Sequence, residues 1–296
     1  MTQPVRPKFG VPKFGVIVLT MGNRPDDLRR GLASLLNQRD VDLDVVVVGN
    51  GWQPMGLPHG VKAKGLAENL GIPAGRNAGV SFVEGELLFF LDDDACLPAD
   101  DILARMAAQF AADPTLGMIQ PRVVDPQGLE APRRWTPRVR VGDPGRSSAA
   151  MNVWEGAVAV RRDAFEFAGG WPEPFWYAHE GSSWRGGCGT AASMFTTTAK
   201  SRCITLLSSR RRHAEFYRFQ ARNRVWLARR NPPLPVGVIY VLDWTAVSAI
   251  RLRSRTAWRE TLRGYHIGLS EPGGERRPMN WRTIWRMTRA GHPPII

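Results

Sequence analysis

The chain has 296 residues, 43% of them hydrophobic: enough for one large domain, or a domain with an extension, and too many for a disordered tail. A net charge of +13 calls for an anionic partner, which could be nucleic acid, a nucleotide or an acidic membrane face. Charge alone discriminates poorly, because lysine occurs only at Lys8, Lys13, Lys62, Lys64 and Lys200 and arginine supplies the rest, as a GC-rich gene would also produce. No helix-turn-helix, zinc or RNP pattern accompanies it, so no nucleic acid is expected as partner. Cys96, Cys188 and Cys203 form no CxxC pair and no even disulfide framework, which points to a reducing, cytoplasmic compartment; no long apolar signal core opens the sequence.

The first residues repeat, PKFGV at 7–11 and again at 12–16, and only the second copy runs into an apolar strand. Residues 1–13 are therefore expected to be a flexible arm. Phe14 to Thr20 reads as a buried strand, followed by the loop Met21 to Pro25. Asp26 is expected to cap a helix whose apolar face carries Leu28, Leu32, Leu35 and Leu36. Val45 to Val48 is a second strand, ending at Gly49-Asn50-Gly51. Such continuous apolar runs around a helix predict a parallel sheet covered on both faces, and ligands in open α/β sheets bind beyond the carboxyl ends of the strands. The glycine-rich stretch Asn69 to Gly79 offers close backbone approach, and its Arg76 either forks onto a diphosphate or sits at an ordinary helix start. Residues 101–112 suit a helix, Met118 to Val124 a strand, and Arg133 to Arg146 a basic loop, solvated or serving as a lid.

Leu87 to Leu91 forms another apolar strand, and it ends in Asp92-Asp93-Asp94. Burying three like charges is too costly, so they sit at the strand's solvent end or grip a cation. Mg²⁺ and Mn²⁺ take oxygen ligands and often bridge carboxylates to substrate phosphates. A solvated acidic turn is the alternative.

Five stretches in register from Val16 to about Glu180 resemble the inverting glycosyltransferases of family 2. They are VIVLTMGNRPDDLRRGLASLLNQ, VVVVGNGW, NLGIPAGRNAGV, FFLDDDACLP and WEGAVAVRRDAFEFAGGWPEPFWYAHEG. The resemblance implies a GT-A fold over residues 14–212, a Rossmann-like, mostly parallel sheet flanked by helices. It implies transfer of a sugar from a nucleoside-diphosphate sugar to a glycan or lipid-linked acceptor in cell-envelope or polysaccharide synthesis. It places Thr20, Asn23 and Arg24 in the nucleotide pocket, Arg76 and Asn77 near the diphosphate, and Gly156 and Ala157 by the sugar. Asp92 and Asp93 would meet the donor, Asp92 and Asp94 a divalent cation, Mn²⁺ or Mg²⁺. Glu180 would be the base; Trp171, Trp176 and Tyr177 before it either stack on the acceptor or belong to the core, and His179 is read as a structural neighbour. One position departs: family members end the second strand in an Asp that reads the base, and Gly49 stands there, with Asn50 the nearest substitute.

From Ser182 to Arg211 the chain changes character, with no acid and two of the three cysteines. The family has a helix bearing an acid here, then a strand reaching a metal-site histidine. A one-base change of reading frame explains the break: reread with GC-rich codons, residues 182–206 become IELAWRVWDGGKHVHYDREVAVHHP, which restores that order. As written, Ile204 and Thr205 occupy the positions expected for the histidine, so reduced or absent activity is expected, and an inactive remnant that binds nucleotide or membrane is the alternative function.

Residues 213–296 are read as a helical, basic region. A basic amphipathic helix runs from His213, Pro232 to Pro235 breaks it, and Val236 to Ile250 is apolar apart from Asp243. That stretch is shorter than the ~20 residues needed to span a bilayer. Its Arg-rich flank with Trp258 suits peripheral attachment to an anionic cytoplasmic leaflet, with a buried packing helix as the other reading.

Overall fold

The computed structural model describes residues 10–128, 147–150, 153–179, 194–205, 214–289 and 293–295. The first copy of the N-terminal repeat lies mostly outside them, as do the 133–146 loop, Glu180 and most of the anomalous segment.

The apolar runs become the strands they predict. β1 (Lys13–Thr20), β2 (Asp42–Gly49), β3 (Lys62–Gly65) and β4 (Leu87–Asp92) lie in the order β3-β2-β1-β4, all parallel. β1 and β4 are apolar on both faces because both faces are covered. Val16, Val18, Phe89 and Leu91 point into one core with Leu28, Leu32 and Leu35 of α1 (Pro25–Leu36) and Met106 and Phe110 of α3 (Ile102–Ala112). Their neighbours Ile17, Leu88 and Phe90 point into the other core with Phe165 of α4 (Arg162–Ala168) and Trp171. The two-residue period of a strand thus feeds two cores at once. α2 (Gly71–Val80) lies so close over the sheet that a Cβ at Gly79 would stand 2.7 Å from Ile17 and 2.9 Å from Val48.

Beyond β4 the sheet turns mixed. β5 (Ala95–Cys96), β6 (Leu116–Val124), β7 (Ser148–Ala150), β8 (Ala157–Arg161) and β9 (Met194–Thr205) extend it as β4-β8-β6-β9-β5, with β7 also on β9. β8 runs antiparallel to β4 and β6, and β9 runs parallel to β6 and antiparallel to β5. The part of the anomalous segment that is described therefore forms an interior strand, as its Thr- and Ile-containing run favours.

Two local expectations fail. Asp26 caps nothing: α1 opens at Pro25, whose missing N–H suits the first helical position, and Asp26 pairs with Arg29 on the exposed first turn. Leu36 is exposed, because the buried stripe of α1 closes at Leu35.

Among the described residues the C-terminal region holds four helices: α5 (Ala214–Arg230), α6 (Leu234–Arg251), α7 (Arg255–Ser270) and α8 (Trp281–Arg289). α5 packs along α7, and Arg229 donates to the carbonyls of Gly268, Leu269 and Glu271 at 2.7, 3.1 and 2.9 Å, closing the C-terminal end of α7.

Candidate active site

Register decides where the polar loops meet. Thr20 at the end of β1 pairs with Gly49 at the end of β2, and Leu19 pairs with Asp92 at the end of β4. The loops after these strands therefore share one rim, at the carboxyl ends of the parallel strands.

Each aspartate of the triplet is held by a different set of groups. Asp92 Oδ1 accepts from Arg76 Nη2 at 2.6 Å. Asp93 Oδ2 accepts from the Thr20 hydroxyl at 2.7 Å, with Arg24 at 3.9 Å. Asp94 pairs with Arg24 and faces the Thr205 hydroxyl at 3.4 Å. Burial pushes the Asp93 carboxyl up to about 6, reinforced by the charges of Asp92 and Asp94 and opposed by the Thr20 hydrogen bond and Arg24. Asp94 is raised by burial and by Asp92, against Arg24 and Thr205.

Arg76 of α2 reaches the triplet. Its side chain is only 4% exposed, with the guanidinium 5.9 Å from the Trp171 ring centroid. One of its terminal nitrogens holds Asp92, while the other, Nη1, is buried and has no hydrogen-bond partner among the described residues. Buried polar atoms are nearly always paired, so an orphan on a cation invites an anionic oxygen.

The donor set also fits a hard divalent cation of the kind shared with phosphates. Among the described residues Asp92 Oδ2 carries no hydrogen bond and Asp94 Oδ1 only the long one from Thr205. Among the described residues no cluster of three His, Cys, Asp or Glu could form a complete cage, so a cation on Asp92 and Asp94 would need oxygens from a bound ligand, an arrangement suited to Mg²⁺ or Mn²⁺.

A second wall of the site is the aromatic turn after the 3-10 turn Glu173–Phe175. Trp176, Ala178 and His179 all have positive φ, of 60°, 70° and 67°. Such backbone costs ~1–2 kcal/mol per non-glycine residue and persists only when its surroundings enforce it. Here α5 enforces it. Asn223, fully buried, donates to the carbonyls of Phe175, Tyr177 and Ala178 at 2.9, 2.7 and 2.9 Å. Arg222 adds a bond to Phe175 O at 2.7 Å, Phe219 stacks on Trp176 at 5.1 Å, and Gln220 binds the His179 ring at 2.8 Å. From the other side Ile72 N–H donates to Trp176 O at 2.8 Å. Gly71 must be glycine there, with φ at +82° and Trp176 O only 2.5 Å from where a Cβ would sit.

Several expected roles change. Of the two readings of Trp171 the core one holds: it is 1% exposed and packs edge-on against Phe90 and Phe165. Trp176 and Tyr177 are the aromatics that reach solvent. Asn77 does not face a diphosphate, since its amide donates to Trp171 O and Glu173 and its oxygen accepts from Trp171 N–H, each at 2.9 Å. Asn50 is buried and bound to Asn69, Leu70 N–H and Gly71 O, so it shapes the turn before α2 instead of reading a base. Ala157 is wholly buried in β8, whereas Gly156 at its start accepts from Asp92 N–H at 2.8 Å. Asn23 is exposed on the loop that carries Arg24. His179 is the structural neighbour expected, bonded to Gln220. Glu180 lies outside the described residues.

The residues missed were Arg222 and Asn223. The available signal was an Asn on the apolar side of an amphipathic helix, beside Val225 and Trp226, where only a satisfied polar group survives burial.

A parallel sheet that gathers three carboxylates, two arginines and an exposed aromatic turn at its carboxyl rim has the layout of the GT-A glycosyltransferases. The sequence matches the model of glycosyl transferase family 2 over residues 16–167, just over half its length, and the chain belongs to that family. No curated protein sequence matches it. Among solved structures it is similar to the mannosyltransferase PcManGT from Pyrobaculum calidifontis, in complex with GDP-Man and Mn²⁺. That match has TM-score 0.55 and 18% identity and covers 95% of this chain and 73% of that one. GalNAc-T7 with UDP, GalNAc and Mn²⁺ gives TM-score 0.60 and 13% identity, over 88% of this chain and 56% of that one. TarS from S. aureus gives TM-score 0.53 and 17% identity, over 88% of this chain and 44% of that one. The chain thus spans about half the length of the latter two. These likenesses establish the GT-A fold.

Proposed function

We propose that this glycosyltransferase moves a sugar, with inversion, from a nucleoside-diphosphate sugar to the hydroxyl of a glycan or lipid-linked acceptor of the cell envelope or a related polysaccharide. The observation that carries the reading is Arg76, with one nitrogen on Asp92 and the other buried and unpaired beside the carboxylate triplet. That free nitrogen takes a diphosphate oxygen, while Thr20 and Arg24 set the conformations of Asp93 and Asp94 at the nucleotide end. A divalent cation held by Asp92 and Asp94 would neutralise charge on the departing diphosphate. Trp176 and Tyr177 offer an apolar face for the acceptor, and Glu180, four residues beyond Trp176, takes the hydroxyl proton as the oxygen attacks the opposite face of the sugar. PcManGT with GDP-Man and Mn²⁺ and GalNAc-T7 with UDP and Mn²⁺ support the donor class and the cation. The two described cysteines, Cys96 and Cys203, are free thiols, which supports a cytoplasmic location.

Titration calorimetry with uridine and thymidine diphosphates, with and without Mn²⁺, tests this. Metal-dependent binding that Arg76→Ala weakens by about tenfold or more is expected, the loss of a charged hydrogen bond. Absence of nucleotide binding in the unaltered chain overturns it. One observation favours a second reading, a chain that binds nucleotide without transfer: a Thr205 hydroxyl, not an imidazole, faces Asp94. Metal-independent binding supports that reading. The gene sequence from Gly181 to His213 decides the origin of the anomalous segment, and equal transfer rates in this chain and a frame-restored one would refute impaired activity.

A further inference from the structure

α6 is not a buried packing helix: only Val236, Gly237 and Ser248 of it are buried. The outward face is an unbroken apolar stripe. Leu234, Val238, Leu242, Ala246 and Ile250 are exposed and follow one another at four-residue spacing, with Ile239 widening the band. At 1.5 Å per residue the stripe runs ~24 Å. Its end is strongly basic, since Arg251, Arg253, Arg255 and Arg259 are all exposed and no acid occurs between Asp243 and Glu260. Val236 packs with Met279, Ile284 and Met287, which sets α8 against the first turn of α6 and leaves Trp281 and Trp285 61% and 64% exposed.

We infer that the outward face of α6, with its arginine-bearing end, docks on the surface of an anionic lipid bilayer and lies in the interface plane. An apolar stripe of this length bounded by arginine and neighboured by exposed tryptophan is the pattern of an interfacial helix. The inner face excludes a crossing. Gly237 lies against Ala228 of α5, and Trp244 stacks on Arg224 with the guanidinium 3.9 Å from its ring centroid. To span the membrane α6 would have to carry α5 with it, including Arg218, Arg222, Arg224, Arg229 and Arg230, and arginine in the hydrocarbon core is costly. Charge complementarity also favours lipid over a second copy of the chain: anionic headgroups attract the arginine cluster, whereas a like-charged copy is repelled.

Co-sedimentation of the full chain with unilamellar vesicles tests this, comparing phosphatidylcholine alone with an equal mixture of phosphatidylcholine and phosphatidylglycerol. Binding to the mixed vesicles that weakens with added salt is expected. Leu242→Glu and Ile250→Glu should each weaken it by about tenfold or more, as removal of a large apolar contact predicts. Arg251→Ser with Arg253→Ser should weaken binding to the anionic vesicles alone. Both Leu242 and Ile250 are exposed, so unchanged thermal melting verifies that the variants remain folded. No binding to anionic vesicles, binding indifferent to Leu242→Glu in a folded protein, or a dimer in solution that Leu242→Glu dissociates would each overturn the inference. None of these arms uses sugar transfer, so their outcome is separate from that of the nucleotide titration.

Discussion

At the scale of the residue, the triplet is three sites in one word. Asp92 answers to Arg76, Asp93 to Thr20, and Asp94 to Arg24 and Thr205. The last pairing makes a sharp expectation. If the cation rests on Asp92 and Asp94, Thr205→His adds a nitrogen ligand at the open side, and the affinity for Mn²⁺ in the presence of nucleoside diphosphate should rise by about tenfold, read by calorimetry. An unchanged affinity sinks the assignment of that position. Away from the site, Asp44 illustrates how a partner overrides burial. Desolvation raises its carboxyl, but hydrogen bonds from Lys62 and from Glu84 N–H and the charges of Lys62 and Lys13 lower it on balance. Its contribution to stability is therefore present above the unfolded carboxylate value of 3.8 and lost as pH falls through the lower folded value. Asp44→Asn should destabilise the fold by about 1–2 kcal/mol near neutral pH and by less near about pH 3, measured by urea denaturation at both.

At the scale of the element, α5 does for the aromatic turn what a strand end does for the triplet. Three carbonyls in a backbone that non-glycine residues rarely adopt converge on the Asn223 amide, and Phe219 holds the Trp176 ring. Asn223→Ala leaves those carbonyls buried without their donor and should cost about 2–4 kcal/mol, with a shift in Trp fluorescence as the turn relaxes. A variant as stable as the original would show that the turn holds itself. At the same scale the described part of the segment after Ser182 pairs as β9 with β6 and β5, because strand pairing is made by backbone groups and accepts many sets of side chains.

At the scale of the whole molecule, the C-terminal helices complete the catalytic domain instead of trailing from it. Arg222, Asn223 and Phe219 of α5 are built into the aromatic turn beside the carboxylate rim, and α7 is bound to α5 through Arg229. A chain ending before residue 214 should therefore lose cooperative unfolding or aggregate, seen by calorimetric melting, because the aromatic turn and Phe175, which packs on Trp226 and Leu227 of α5, would lose their cover. A truncated chain that melts as sharply as the full one would refute this.

What was legible in the sequence was whatever depends on local pattern. Continuous Val, Leu and Phe runs announced β1, β2 and β4, and three adjacent carboxylates after such a run had to reach the sheet's open end. Arg76 was visible because glycines flanked it. Roles that depend on which way a side chain turns were not legible. Trp171 and Trp176, five residues apart in one aromatic run, part company because the first faces Phe90 in the core while the second is turned outward by a positive φ and held on Phe219. Asn50 and Asn77 look like ligand-binding amides in one dimension, yet loop carbonyls and N–H groups claim them in three. Sequence by itself determined the parallel strands and the carboxylate rim, which follow from apolar periodicity and like-charge repulsion, and the family through five stretches that resemble it in register. Only the tertiary structure decided which polar groups remain free for a ligand and that the apolar stripe of α6 faces outward, because both are set by contacts between residues far apart in the chain.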